Sequence, residues 1–297
     1  MSLDKELQSK KSELTEFVDL TKRILNYLPE VISSSKDKGN YTIFLSQQAG
    51  TTKFVRPINK NLFIQNPDDF DRSFKAFKEV VSVKLRSSSP PVFSEEEHNT
   101  VNNTLYTIQQ SIGAGLDLLV NSNSARKHVG NRFEELLKCV FDLAGISNKK
   151  TVLQIPYQTD EGTKVYKCEN DLILSPYTVV KSSGSSLDPN EIVVSIKTTS
   201  KDRMGKIFID KMLLERFVGH SQKVIGIFLN DVQRKESDNI SYTLVSGLFM
   251  VYSSFLTELE GIYYLDPPAN ALKEPYNKYM KRFSSLLLND FKELLSS

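Results

Sequence analysis

Apolar residues recur at helical spacing from the start of the chain. Leu7, Leu14, Phe17, Val18, Leu25 and Leu28 form one stripe and predict a helix over residues 4–32. The polar run 33–40 breaks it. Residues 41–45 and 53–64 read as short strands around an Ala49-Gly50 turn, interrupted by Pro57. Asn66-Pro67 pairs an N-cap with proline at the first helical position, and Phe70, Phe74, Phe77 and Val81 mark the side the following helix buries. A break at residues 87–91 precedes the capping box Ser94-Glu95-Glu96-Glu97, which opens a helix carrying Val101, Leu105, Ile108, Ile112 and Leu119. These stripes are core patterns without a catalytic constellation.

Asn121-Ser122-Asn123-Ser124 reads as a boundary between residues 1–123, mostly helical, and residues 124–297. A helix runs from Ala125 to Ala144 and ends at Gly145, with Phe133, Leu136, Leu137 and Val140 inward. Glu134 leans to the interior on it, and Glu135 stacks with Lys138 and Asp142 toward water. Period-2 patterning then predicts strands over 152–156, 164–174 and 191–197. A helix over about 205–217, strands over 223–230, 241–250 and 262–265, and a closing helix over 276–295 complete the chain. Helix, antiparallel strands, then strand–helix–strand predict an α/β or α+β mixed sheet flanked by helices.

The 297 residues are enough for a sizeable core, and 39% hydrophobic with 25% charged is ordinary for a globular protein. No apolar run reaches the roughly 18 residues a membrane span needs, and the N-terminus lacks a signal-peptide pattern, so a cytoplasmic location is expected. Cys139 and Cys168 make no disulfide framework and no zinc spacing. A net charge of +2 leaves any nucleic-acid role to local clustering, and residues 197–206 supply it with four basic side chains against one acidic.

The chemistry concentrates in Val193-Val194-Ser195-Ile196-Lys197 and the following residues 198–203. Alternation puts Val193, Ser195 and Lys197 on one face, and a lysine on so apolar a strand calls for an anionic partner. Asp171, in an earlier apolar strand, is that partner. Carboxylates with one lysine are what metal-assisted phosphodiester hydrolysis requires: an oxygen cage for Mg²⁺, an activated water, and a cation for the developing charge. On the helix after the lysine, Asp210 shares a side with Leu213, Leu214 and Phe217 and points inward. Glu215 is the rival carboxylate, and Glu134 is either a contributor from the preceding helix or a plain flank residue. A serine–lysine hydrolase reading of Ser195 and Lys197 lacks the turn and glycines an oxyanion hole needs.

Gly130, Phe133-Glu134, Asp171 and Ser195-Ile196-Lys197, in that order, resemble the PD-(D/E)xK nuclease superfamily. Lys201-Asp202-Arg203 after the lysine, with Asp210 thirteen residues past it, resembles the type II restriction endonucleases that read CCGG or CCNGG-type sites. Ser195 stands where that branch replaces the usual acidic residue, and Asp210 where its relocated carboxylate falls. Asn170 stands where proline is usual, and the triplet begins with lysine where arginine is usual. The resemblance covers roughly residues 126–217. It implies a restriction-endonuclease-like catalytic core over residues 124–297, with Asp171 and Asp210 on Mg²⁺. Lys197 serves the water or the developing charge, and Lys201, Asp202, Arg203 and Lys206 meet double-stranded DNA. It also implies a homodimer or tetramer and a cognate DNA methyltransferase in the host. A structure-specific repair nuclease of the same superfamily and a non-catalytic DNA-binding module remain as alternatives. Residues 1–123 would dimerise, clamp DNA or read flanking bases.

Overall fold

The computed structural model describes residues 1–48, 50–87, 91–201, 203–236 and 238–296. Ala49 of the expected turn, Ser88, Ser89 and Pro90 of the expected break, and Asp202 of the basic triplet lie outside these residues. The N-terminal half contains α1 (Leu3–Gln8), α2 (Leu14–Val31), β1 (Ser34–Lys38), β2 (Tyr41–Gln48), β3 (Thr51–Phe54) and β4 (Ile58–Asn59). It continues with α3 (Pro67–Lys78), extended by a π-helical turn Glu79–Lys84, and the long α4 (Glu95–Leu119). Strands β1–β4 form one antiparallel sheet centred on β2. The second half begins with α5 (Ser122–Leu143) and runs through β5 (Ser147–Thr159), β6 (Gly162–Ser175), β7 (Ile192–Thr199), α6 (Arg203–Val218) and β8 (Lys223–Asn230). The hairpin β9 (Val232–Lys235) and β10 (Asn239–Tyr242) follows, then α7 (Ser246–Phe255), β11 (Gly261–Tyr264) and β12 (Met280–Arg282). The chain closes with α8 (Phe283–Ser285), a π-helical turn Leu286–Asp290 and α9 (Phe291–Ser296).

Six strands in the order β12-β11-β8-β7-β6-β5 make the main sheet. β5, β6 and β7 pair antiparallel, and β7, β8, β11 and β12 pair parallel. This mixed sheet flanked by helices is the α/β architecture the pattern predicts. Its central strands read as near-continuous apolar runs because both faces are covered. On one face Leu172, Leu174, Ile192, Val194 and Ile196 join a core built with α2, α4 and α5. On the other, Ile173, Val193, Val224 and Phe228 pack with Ile207 and Phe208 of α6 and Phe249 of α7. The first core runs from Leu7 to Phe291, across residues 121–124, where Asn121 accepts the Ser124 N–H as N-cap of α5 (3.0 Å).

Several elements depart from the pattern, each for a tertiary reason. The single helix over 4–32 is broken at residues 9–13 because the buried Lys11 is captured from outside the helix. Its N–H donates to Glu135 Oε2 (2.7 Å), and its ammonium donates to the carbonyls of Glu6 (2.7 Å) and Ser9 (3.1 Å). Glu135 therefore turns inward to Lys11 and Arg132 instead of to water. Residues 34–38, expected as a break, form β1, since backbone pairing to β2 needs no apolar side chain. The strand expected over 241–250 is instead the end of β10 followed by α7, whose Phe249 packs edge-on to Phe208 of α6 (5.5 Å). The closing helix starts only at Phe283, because residues 280–282 are drawn into the sheet beside β11.

Candidate active site

The last hydrogen-bonded pair between β6 and β7 in the direction of Lys197 is Leu172 with Val194. One residue further, Asp171 replaces the ladder with its own side chain. Its Oδ2 accepts the Ile196 N–H (2.8 Å) and the Lys197 ammonium together. The pair is partly sheltered, with side-chain exposures of 13% for Asp171 and 23% for Lys197. Alternation places both on the face shared with Ile173 and Val193, the α6 side, as the sequence predicts. Both bonds fall on Oδ2, so Oδ1 has no protein donor among the described residues.

Glu134 reaches this pair from α5. Burial raises its pKa, the Asp171 carboxylate raises it further, and Lys150 and Lys197 pull it down. Lys150, on β5, donates to Glu134 Oε2 (3.3 Å) and lies 4.0 Å from Glu169. Burial works against its charge, but Glu134, Asp171 and Glu169 outweigh it and its pKa stands raised. The result is an interleaved set of carboxylates and ammonium groups at the end of the β6–β7 ladder. Asp210 lines the same pocket as Asp171, Ser195 and Lys197, but the Lys206 ammonium holds both its oxygens (2.6 and 2.5 Å). It is half-exposed, with Ile207, Phe208 and Leu214 of α6 buried in preference to it. Ser195 lines this pocket too and pairs with Gly226 of β8. Glu215 is elsewhere, accepting the Gln222 N–H (3.1 Å) and facing Lys211 (3.8 Å).

Adjoining the pair is a cleft of about 670 Å³ between the two halves of the chain. Arg126, Glu134, Lys197, Lys201 and Arg203 line it from the second half, and Arg56 and Asp117 line it from the N-terminal half. Arg234 of β9 completes it and stacks over Phe54 (5.2 Å). Arg56 is fixed by Asp117 through two guanidinium bonds of 2.8 Å. Six cationic side chains against two carboxylates make this concavity an attractive site for a polyanion. Lys206 lines the smaller pocket, and Asp202 lies outside the described residues.

No protein-family model matches the sequence, and no curated protein sequence does. Among solved structures, the type IIP restriction endonuclease Kpn2I superposes with a TM-score of 0.70 at 18% identity, covering 95% of this chain and 92% of Kpn2I. The chain has a restriction-endonuclease-like fold. A restriction endonuclease PspGI–substrate DNA complex matches more loosely, with a TM-score of 0.44 and 14% identity over 77% of this chain and 92% of that one.

Within the restriction-endonuclease-like fold, the carboxylates suit a hard divalent cation that keeps most of its waters and takes one or two protein oxygens. Asp171 offers Oδ1, and burial together with the nearby Asp171 carboxylate raises the cost of ionising Glu134, which a cation relieves. No cluster of three or more metal-ligating side chains occurs among the described residues. Arg56, Arg126, Lys150, Glu169 and Arg234 escape a reading of the sequence. They come from five separate stretches that only the fold brings together, and no local spacing links them to Lys197. No helix among the described residues is long and apolar enough to cross a membrane.

Proposed function

We propose that the chain is a Mg²⁺-dependent, sequence-specific double-strand DNA endonuclease of type II. The observation that carries this reading is the Asp171–Lys197 pair beside Glu134, opening onto a cleft rich in arginine and lysine. Asp171 and Glu134 are the carboxylates that would hold Mg²⁺, and Asp210 would join them where a phosphate draws Lys206 away from it. Bound there, Mg²⁺ supplies Lewis-acid polarisation of the phosphate and a more acidic water. Lys197 orients Asp171 and presents its ammonium to charge developing on the scissile phosphate. Ser195 leaves room on the same strand face.

Lys201, Asp202 and Arg203 read base edges in a G·C-containing site of CCGG or CCNGG type. Arginine is bidentate to guanine O6 and N7, and aspartate accepts from cytosine N4. Arg56, Arg126, Arg234 and Lys206 take phosphates. In this reading residues 124–297 form the catalytic core, while residues 1–123 wall the cleft. Cutting both strands of a palindrome calls for two copies, as a homodimer or tetramer, with a cognate methyltransferase guarding host DNA in the cytoplasm.

The test is a plasmid digest with and without Mg²⁺, wild type beside Asp171→Ala. Discrete Mg²⁺-dependent fragments, lost in the variant, support the reading, and their sequenced ends give the site. A smear, or cutting confined to junctions, moves it to a repair nuclease. Folded wild type that leaves several unmethylated DNAs intact overturns it.

A further inference from the structure

An edge strand of the main sheet, β5, carries two adjacent lysines that meet different surroundings. Lys149 is exposed and forms no ion pair among the described residues, the ordinary state of a lysine that guards a sheet edge. Lys150 is aimed at the site by a bulge. Lys149 pairs with Ile173 and Thr151 with Asn170, so Lys150 alone opposes Asp171 and Leu172. Such a mismatch interrupts the ladder and redirects a side chain. The Lys150 ammonium donates to Glu134 Oε2 (3.3 Å) and lies 4.0 Å from Glu169. Lys150 and Lys197 thus set two positive charges against the three negative ones of Glu134, Asp171 and Glu169.

We propose that Lys150 is a built-in counter-cation that competes with the divalent metal for Glu134 and so sets how much metal the site demands. This rests on the reading of Glu134 and Asp171 as the metal's carboxylates. Asp171 is anchored by Lys197 and the Ile196 N–H, whereas Lys150 is the one donor to Glu134 among the described residues. With Lys150 in place the five charged groups carry a net −1, and without it the other four carry −2. A dication therefore meets a weaker field, and a carboxylate already taken, as long as the lysine stays. Glu134 has a side-chain exposure of 25%, so its attraction to a cation is screened less than that of a surface pair. Lys150, at 52%, has room to leave, and Glu169, at 68%, offers the displaced ammonium a second partner.

Binding of Mn²⁺ to the full chain without DNA, followed through the electron paramagnetic resonance of the free ion, tests this directly. Lys150→Met keeps most of the side chain's bulk and removes its charge, and it is expected to bind Mn²⁺ about tenfold more tightly than wild type. Lys150→Arg keeps the charge, and Lys149→Met removes a screened one next door, so both are expected within about twofold of wild type. Asp171→Ala added to Lys150→Met is expected to abolish the tightened binding. Lys150→Gln takes the place of the methionine variant should circular dichroism show that one unfolded. Affinity that is unchanged or weaker without the Lys150 charge overturns the inference. Equal tightening in Lys150→Arg or Lys149→Met overturns it as well, as does tightening that survives Asp171→Ala or a chain that binds no Mn²⁺ in any form. The two readings fail separately. Tighter Mn²⁺ binding in a chain that cuts no DNA keeps the counter-cation and sinks the nuclease, and Mg²⁺-dependent cutting with unchanged affinity in Lys150→Met does the reverse.

Discussion

The Lys197 ammonium and the Ile196 N–H converge on one oxygen of Asp171. Removing the lysine leaves the carboxylate its backbone donor, so the fold keeps its anchor there and the chemistry loses its cation. Lys197→Ala is expected to lower the cleavage rate by about 10³ while the melting temperature and DNA affinity stay near wild type. A variant that still cuts within tenfold of wild type removes Lys197 from the mechanism. The cleft arginines act differently. Arg126 is exposed on α5 and lines the cleft, so its expected part is one phosphate contact with no sequence information. Arg126→Ala is expected to weaken cognate and random DNA alike and to reduce the slope of log K against log salt by about 0.9. Arg203→Ala is expected instead to cost about 1–3 kcal/mol on the cognate site alone. Binding measured on both DNAs at several salt concentrations separates these two behaviours.

Between β7 and α6, the turn that carries the basic triplet is held from below. Lys201 adopts a positive φ of 25°, which an L-residue takes at a cost of roughly 1–2 kcal/mol. Ser200, just before it, is fully buried, and its N–H donates to Asp231 Oδ1 (2.8 Å) while Thr243 Oγ1 donates to the same oxygen (2.9 Å). The Ser200 carbonyl then accepts the Arg203 and Met204 amides that start α6. Asp231→Ala orphans the Ser200 amide, an expected loss of about 1–3 kcal/mol in stability by denaturant titration. Discrimination between cognate and one-base-changed DNA is expected to fall with it, because the triplet loses its support. Unchanged discrimination in a destabilised variant would confine Asp231 to folding.

Nothing local in the sequence marks Asp231, since its partners lie 31 and 12 residues away in opposite directions. Asp171 and Lys197 were legible because each is a charge inside an apolar strand, a conflict that only mutual pairing resolves. Asp210 was legible as a position on α6 but not as an ion pair: the helical period finds the neighbour Lys206 without saying that it takes both oxygens. α7 was misread as strand because a short apolar run has no decisive period, and its packing on Phe208 settles the matter in space.

Across the whole molecule, the N-terminal sheet is fastened to the main sheet through one buried carboxylate. Asp266, just past β11, accepts from Tyr41 of β2 (3.0 Å) and from the Asn59 side chain of β4 (2.8 Å). Tyr106 of α4 accepts the Asn59 N–H (2.8 Å), so three N-terminal elements converge there. Burial pushes the Asp266 carboxyl from its ordinary 3.8 up to about 6, against the lowering effect of its hydrogen bonds. A raised folded-state pKa means the unfolded chain ionises first as pH increases. The group's contribution to stability is therefore complete below pH 3.8 and is lost as pH rises through about 6, a decline of about 3 kcal/mol. Asp266→Asn cannot titrate, so wild-type stability minus variant stability is expected to fall between about pH 4 and pH 6 and to level off above it. Denaturant titrations of both proteins across that range give the difference directly. A difference that stays constant with pH would mean that Asp266 keeps an ordinary pKa, its tyrosine and asparagine donors fully offsetting its burial. In that case the joint between the two halves, and with it the wall carrying Arg56, would hold equally well at every pH in the range.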